Sequence, residues 1–446
     1  MKKVISIILF SAICAVCAAQ PSYTLSQLRD SALASNISIR TARYDIQASD
    51  LQKDEALTKY FPSVSATGVT FRADKGMLNK TIKPSEMISP DLAAFLASIL
   101  PPEVLASLNN PISISMMKKG TIGSVIAMQP IFAGGQIING NRLAEVGRQA
   151  SRLQLNLAEN EVEKTTEQYF WQLASLQEKL KTIETAMSYV SDINKDVSVA
   201  VKAGVATKND LLQVQLRENE LESNELKVLN GISLMKMLIG QFCGLNNTDF
   251  NIQFDSANPD DLPERLDHIQ ALFQTREYQL LEKSVEAARL QKKLAIGQYL
   301  PTVAVGAAYN YHNLLKNDRT FGMVMATVSI PITDWWGGSY QIKRKEIEVN
   351  KAIEQQQDKA AMLQIRMQNA WNKVEESYQQ LHIAKRSIEQ AEENLRLQRD
   401  YYKAGLTNMS DLLQAQLLHQ QTLDRYTDAY SEYQMAILDY RHSVGQ

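Results

Sequence analysis

The sequence predicts a mostly helical α+β membrane protein built from two copies of one unit, each a strand pair followed by a long helical hairpin. Three observations carry this reading. Residues 203–215 read AGVATKNDLLQVQ and residues 404–416 read AGLTNMSDLLQAQ, so Gly204 matches Gly405, Asp210 matches Asp411 and Leu211 matches Leu412 at one offset. Each copy follows a very long heptad-patterned segment that no proline interrupts. Strand-like segments come in pairs ahead of those helical runs. A repeat of this length implies duplication of one half of a fold rather than a solenoid of small units.

The chain opens MKKVISIILFSAICAVCAAQ, with two lysines, an apolar run from Val4 to Val16 and small residues before Gln20. That is the pattern of a secretory signal peptide, expected over residues 1–19. Neither Cys14 nor Cys17 follows the small residue that lipoprotein processing needs, so no N-terminal lipid anchor is expected. Cys243 is then the lone cysteine of the mature chain and reads as a small core residue. No later stretch is apolar for long enough to be a spanning helix, which leaves an exported soluble protein or a barrel. The chain has 446 residues, 45% hydrophobic and 22% charged, enough for a large core. Its net charge of −2 offers no basic footprint, so nucleic acid is not an expected partner.

The first repeat covers residues 20–245. It starts with a short helix over 25–35, capped by Thr24, and a second over about 37–59 that runs into Tyr60-Phe61-Pro62. Strands follow at about 63–72 and 123–132, the second stopped by Gly134-Gly135. The insertion between them, 73–122, carries a helix start at Ser89-Pro90-Asp91 and the apolar run LAAFLASIL. Three placements stay open for it: on a membrane surface, over a pore mouth, or between subunits. A helical hairpin spans 138–241. Its seam steps by four and three through Tyr169, Leu173, Leu176, Leu180, Ile183, Met187, Val190, Val197 and Val201, with Asn194 where an apolar residue is due. Gly204 sits where this helix must stop, and Thr207 with Asp210 fits a capping box for the next one.

A polar linker covers 246–263, and the second repeat, 264–446, replays the programme. Helices are expected at about 264–275 and 276–298, and strands at about 302–312 and 321–332. Gly337-Gly338 stands where the first repeat has Gly134-Gly135. A hairpin over 340–442 follows, its seam running through Trp371, Val374, Tyr378, Leu381, Ile388, Ala391, Leu395 and Tyr402. Gly405, Asn408 and Asp411 make the second tip.

Four strands do not close a cylinder, and an open edge is untenable in lipid. Val303, Val305, Ala307, Tyr309 and Tyr311 alternate with the smaller, more polar Ala304, Gly306, Ala308, Asn310 and His312, as in a barrel wall. Phe132, Tyr309, Tyr311, Trp335 and Trp336 lie near strand ends, where interfacial aromatic belts form. An ordinary soluble sheet packed on helices is the competing reading of the same strands. A shared barrel would need further copies of the chain.

On these features, the duplicated half, the Tyr-x-Pro approach to each first strand, the Pro-to-Gly-Gly exit and above all the paired tips, the chain resembles the TolC-like outer-membrane efflux proteins. The resemblance covers essentially all of the mature sequence. It implies a homotrimer in which four strands per protomer complete a 12-stranded outer-membrane β-barrel, continuous with a 12-helix periplasmic α-barrel. It places the protein in the outer membrane of a Gram-negative bacterium, with the tunnel in the periplasm and the 73–122 insertion outside the cell. It further implies passive export in a tripartite efflux or type I secretion system. An inner-membrane transporter of RND or ABC type supplies the energy, and the hairpins of a periplasmic adaptor dock on the tips. Carried over by motif, Gly204, Val205, Asp210 and Leu211 would line one docking groove and Gly405, Leu406, Asp411 and Leu412 the other. Tyr402, Asp210 and Asp411 would form the periplasmic gate. One position departs from the pattern: Thr407 stands where some relatives carry a gating arginine, with Lys403 and Lys208 as substitutes.

Catalytic chemistry is not expected. The 5 histidines are scattered without metal-ligand spacing, and neither a phosphate-binding glycine loop nor a nucleophile elbow occurs. No cofactor or metal is therefore implied. Two other function classes share the long hairpins: a periplasmic adaptor, which ordinarily has one hairpin, and a structural coiled-coil protein, in which the Gly-Gly strand junctions have no purpose.

Overall fold

The computed structural model describes residues 21–254, 262–314 and 318–446. The signal-peptide reading of 1–19 and part of the 246–263 linker lie outside them. In chain order the elements are β1 (Ser22–Tyr23), α1 (Leu25–Ser35), α2 (Ile37–Thr58), β2 (Ser63–Arg72), β3 (Leu78–Ile82), a 3₁₀ turn (Pro84–Met87), α3 (Pro90–Ile99), α4 (Pro102–Ser107), β4 (Ile112–Met116), β5 (Lys119–Ala133), α5 (Gln136–Lys202) and α6 (Lys208–Cys243). Then come β6 (Asn251–Ile252), α7 (His268–Leu272), α8 (Arg276–Gly297), β7 (Thr302–His312), β8 (Arg319–Ser329), α9 (Asp334–Lys403) and α10 (Met409–Ser443). Among the described residues no helix is long and apolar enough to cross a membrane. The chain divides into two compact units, one drawing on residues up to Asp50, Val146–Ala287 and Asn350–Gln446, the other on Leu51–Glu145 and Ala288–Val349.

The first unit is helical. It holds most of the 67-residue α5 and the 70-residue α9, which extend over about 100 Å each at 1.5 Å per residue. Such helices are held by packing rather than by propensity. The heptad seams are where the packing occurs. Leu173, Ile183, Val190 and Val197 are buried on α5, as are Trp371, Val374, Leu381 and Ala391 on α9. Asn194, the polar member of the first seam, donates to the Glu218 carboxylate on α6 at 2.7 Å and so stays satisfied. Around Phe170, Trp171 and Leu173, a core forms with Leu28 of α1 and with Ile239 and Cys243 of α6. Burial pushes the Cys243 thiol up to about 11, as expected of a core residue. The parallel pair β1–β6, which the periodicity did not reveal, fastens the start of the described chain to the segment after α6.

The second unit carries a four-stranded antiparallel sheet in the order β2-β5-β7-β8, with β2 and β8 at its free edges. The strands follow the sequence with adjusted ends. β5 starts at Lys119 and holds Pro130 at a bulge, where a missing backbone donor costs no ladder bond. β8 spans Arg319–Ser329, shorter at its far end than 321–332. One face is apolar and exposed: Val64 and Ala66 of β2 adjoin Ala127 and Val125 of β5, which adjoin Ala307 and Tyr309 of β7. Val324 and Val328 of β8 complete that face, Val324 being 86% exposed. The opposite face mixes Ser65, Thr67, Ser124, Asn310 and His312 with Ile126 and Met128, and Ser124 bonds Asn310 at 2.8 Å. The insertion between β2 and β5 is a second hairpin, β3–β4, carrying α3 and α4 at its far end. Met117 precedes β5 with a φ of 58°, a left-handed break between the two hairpins.

The two glycine pairs do not match in structure. Gly134 and Gly135 have φ of 59° and 75° and end β5 as expected. Gly337 and Gly338 instead lie inside α9, which starts at Asp334 rather than near 340. The reason is local: Asp334 favours a helix start, and the Trp335 indole donates to the Tyr299 carbonyl at 2.9 Å, fixing the first turn. Gly338 is there for room, since a Cβ would stand 2.6 Å from the Tyr299 ring.

Alanine at these positions separates the two roles. A Cβ on Gly134 would lie 2.2 Å from the Gly297 carbonyl oxygen, whereas one on Gly337 meets nothing within 4 Å. Gly134→Ala should therefore destabilise by about 1–3 kcal/mol or more, and Gly337→Ala should stabilise by about 0.5–1 kcal/mol. Thermal melting of the purified variants checks this, and equal melting temperatures contradict it.

Candidate functional site

Both tips are built by the same local rules. At the end of α5, Gly204 adopts φ 76°, its amide bonds the Val201 carbonyl at 3.1 Å, and the Val205 amide bonds the Ala200 carbonyl at 2.9 Å. At the end of α9, Gly405 adopts φ 72°, with Gly405 to Tyr402 at 3.0 Å and Leu406 to Tyr401 at 2.8 Å. These are Schellman turns, which satisfy the last carbonyls of a helix and require a left-handed residue that glycine adopts without strain. The restarts differ in detail. Thr207 and Asp210 form a reciprocal capping box at α6. At α10 the Asn408 side chain accepts from the Asp411 amide at 2.9 Å, and the Asp411 carboxylate accepts from the Thr407 hydroxyl at 2.9 Å. Thr407 thus ties the Asp411 carboxylate within its own tip.

Packing brings the two tips together. Val197 of α5, Val214 and Leu221 of α6, and Met409 and Leu412 of α10 share one core, with Tyr402 and Leu395 of α9 packed against it. Leu412 is buried and Leu211 half-buried, so both hold the tips from within. The outward apolar groups are Val205 and Leu406, 80% and 75% exposed. Gly204 and Gly405 sit beside them with open space where a side chain would be.

A cleft of about 870 Å³ opens between the tips. Tyr402, Asp210, Arg399, Lys403, Thr407 and Asp196 are among its lining residues. Burial and the nearby Asp210 charge hold the Tyr402 hydroxyl above its ordinary range. Tyr402 and Asp210 therefore meet within one chain, whereas Asp411 is engaged with Thr407 and lies outside the cleft lining. Lys403 lines the cleft and Lys208 does not.

Sequence reading missed a buried cation just behind the tips. Arg217 of α6 donates through Nε to Gln416 at 3.1 Å and through Nη2 to Gln420 at 2.7 Å, one turn apart on α10. Its third bond reaches Glu220 at 3.1 Å. The planar guanidinium bridges the two helices and fixes their register. The repeat carries a signal for it, since the position matching Arg217 at the tip offset is Leu418.

In the strand-bearing unit, Phe132, Tyr309, Trp335 and Trp336 are exposed. Tyr311 is half-buried and donates to Asp318 at 2.9 Å. Among the described residues no group of His, Cys, Asp and Glu is placed to hold a metal ion.

Residues 270–446 match the family model described as outer membrane efflux protein. No curated protein matches the sequence. Solved structures match over nearly the whole chain. CusC aligns with TM-score 0.79 at 14% identity, covering 96% of this chain and 93% of its own. The outer membrane protein VceC of Vibrio cholerae gives 0.73 at 15%, covering 94% and 96%. The outer membrane channel CmeC of Campylobacter jejuni gives 0.76 at 13%, covering 94% and 85%. The TolC-like resemblance read from the residues is shown, by the family model over 270–446 and by the fold over almost all of the chain. The matched family model describes outer membrane efflux proteins, and the matched solved structures are outer membrane channels with this fold.

One carboxyl behind the tips gives a pH signature. Burial, with a smaller push from the Asp428 charge and opposed by Lys179, raises Asp424 of α10 to about 6. Stability linked to it belongs to the protonated acid: complete below the ordinary 3.8, and lost as pH rises through about 6. Asp424→Asn should thus melt higher than the parent at neutral pH and vary less across that window. Identical melting profiles of the two from acid to neutral pH would remove Asp424 from the pH response.

Proposed function

From a chain that matches the outer membrane efflux protein family over residues 270–446 and has the TolC-like channel fold over almost all its length, we propose that it is the outer-membrane channel-tunnel of a tripartite efflux or type I secretion system. In this reading it is a homotrimer. Four strands from each copy complete a 12-stranded barrel in outer-membrane lipid, continuous with a 12-helix tunnel in the periplasm of a Gram-negative cell. The observation that carries the barrel is the sheet itself: an apolar exposed face, a more polar opposite face, and two unpaired edges. Unpaired edges are untenable in lipid, and identical neighbours pair them without a new kind of partner. The exposed aromatics Phe132, Tyr309 and Trp335, with Tyr311, then belong to the interfacial belts, and Trp336 stands next to them at the strand-to-helix junction.

Transport is passive, driven by an inner-membrane transporter of RND or ABC type acting directly or through a periplasmic adaptor. The adaptor's hairpins dock on the tips, where Gly204, Val205, Gly405 and Leu406 present small and apolar groups outward. Asp210, Leu211, Asp411 and Leu412 shape these tips, through capping and through the shared core beneath. Tyr402 and Asp210 narrow the entrance, with Asp411 contributing charge near it. The insertion between β2 and β5 lies outside the cell. An adaptor or a purely structural coiled coil has less support, because the whole chain aligns with outer-membrane channels.

Two experiments test this reading. Tryptophan at both Val205 and Leu406, which are 80% and 75% exposed and free of the left-handed strain any side chain meets at Gly204 and Gly405, projects outward from the tips. The double variant should keep its oligomer yet lose dye efflux in cells, and unchanged efflux would refute tip docking. Replacing Tyr402 and Asp210 by alanine should raise single-channel conductance in planar bilayers. An unaltered conductance would take both residues out of the gate.

A further inference from the structure

The strand-bearing unit leaves more than backbone exposed at its two edges. β2 is entered from α2 through residues 59–62, and β8 is left into α9 through residues 330–333, linkers of equal length. β2 follows α2 and β8 precedes α9, so an antiparallel pairing of β8 in one copy with β2 in the next brings the start of α9 beside the end of α2. On α9, Trp336, Tyr340, Lys343 and Ile347 fall on one face and all are exposed, Trp336 by 81%. On α2, Leu51, Glu55 and Thr58 fall on one face and all are exposed, Leu51 by 70%.

We infer that these two faces are the two sides of one contact between neighbouring copies of this chain, with the Trp336–Tyr340 face of α9 packed on the Leu51–Thr58 face of α2. The inference rests on the oligomeric reading above and adds which side chains complete it. Heights agree. Measured from the helix ends, Trp336 lies ~3 Å along α9 and Tyr340 ~9 Å, while Glu55 lies ~5 Å and Leu51 ~10 Å along α2. Trp336 therefore stands level with Thr58 and Glu55, and Tyr340 level with Leu51. Beside this α2 face runs a groove of about 920 Å³, bordered by Glu55, Thr58 and Phe61 with Gly140 of α5 in its wall, which has room for the indole. Within the chain, Trp335 is tied to Tyr299 by its indole N–H, which leaves Trp336 as the outward member of the pair.

Paired cysteines test it in the full-length protein. Thr58→Cys with Trp336→Cys, treated with a short bismaleimide in membranes, should shift from monomer to covalent dimer and cyclic trimer on denaturing gels, while each single variant stays monomeric. The native Cys243 is buried and its thiol raised to about 11, so it contributes little background. Leu51→Cys with Tyr340→Cys is the second pair, should the first disturb folding. Oligomer on native gels without cross-linking by either pair overturns the contact and leaves the trimer standing. Monomer on native gels in the parent protein overturns both.

Discussion

The strand-bearing unit depends on two rows of unpaired backbone groups. β2 and β8 each offer N–H and C=O groups along one side with nothing in the same sheet to receive them. In water such an edge invites aggregation, and in hydrocarbon it costs several kcal/mol per unsatisfied group. The usual protections of a soluble edge are weak here. Only Arg72 and Arg319 place charge within the two edge strands, each at the end remote from the helices. Val64, Val324 and Val328 leave the adjoining face apolar. In the proposed trimer this sheet is one third of the barrel, and two further copies of the same chain supply the rest.

The helical unit follows different physics. α5 and α9 are far too long to owe their stability to propensity, and they survive because each seam residue finds a partner on a neighbouring helix. Where a seam turns polar, the structure answers with a specific bond, as Asn194 does with Glu218 and Arg217 with Gln416 and Gln420. These bonds define register, which hydrophobic packing alone leaves loosely specified. Register matters most next to the tips, where the core shared by Val197, Val214, Met409 and Leu412 decides how far apart Tyr402 and Asp210 stand.

Much of this was legible in the residues, for reasons that differ by element. Gly204 and Gly405 could be read because a left-handed turn has few residue solutions, and the same letters recur at one offset. The seams could be read because knobs-into-holes packing writes its period into the sequence. Gly337-Gly338 misled because one dipeptide serves two purposes: φ above zero in Gly134-Gly135, and clearance for the Tyr299 ring at Gly338. The insertion hid its hairpin because β3 and β4 are short and pair only with each other. The Arg217 clamp was missed because a lone arginine on a helix ordinarily reads as a solvated face. That Leu412 lies inside the tip while Val205 and Leu406 lie outside depends on packing between segments remote in sequence, which no local pattern encodes.

The central claim is that this sheet is completed by identical neighbours. Native mass measurement of the parent protein in mild detergent tests it most directly. The account predicts a particle of three chains, and a particle of one chain with the strand-bearing unit still folded would contradict it.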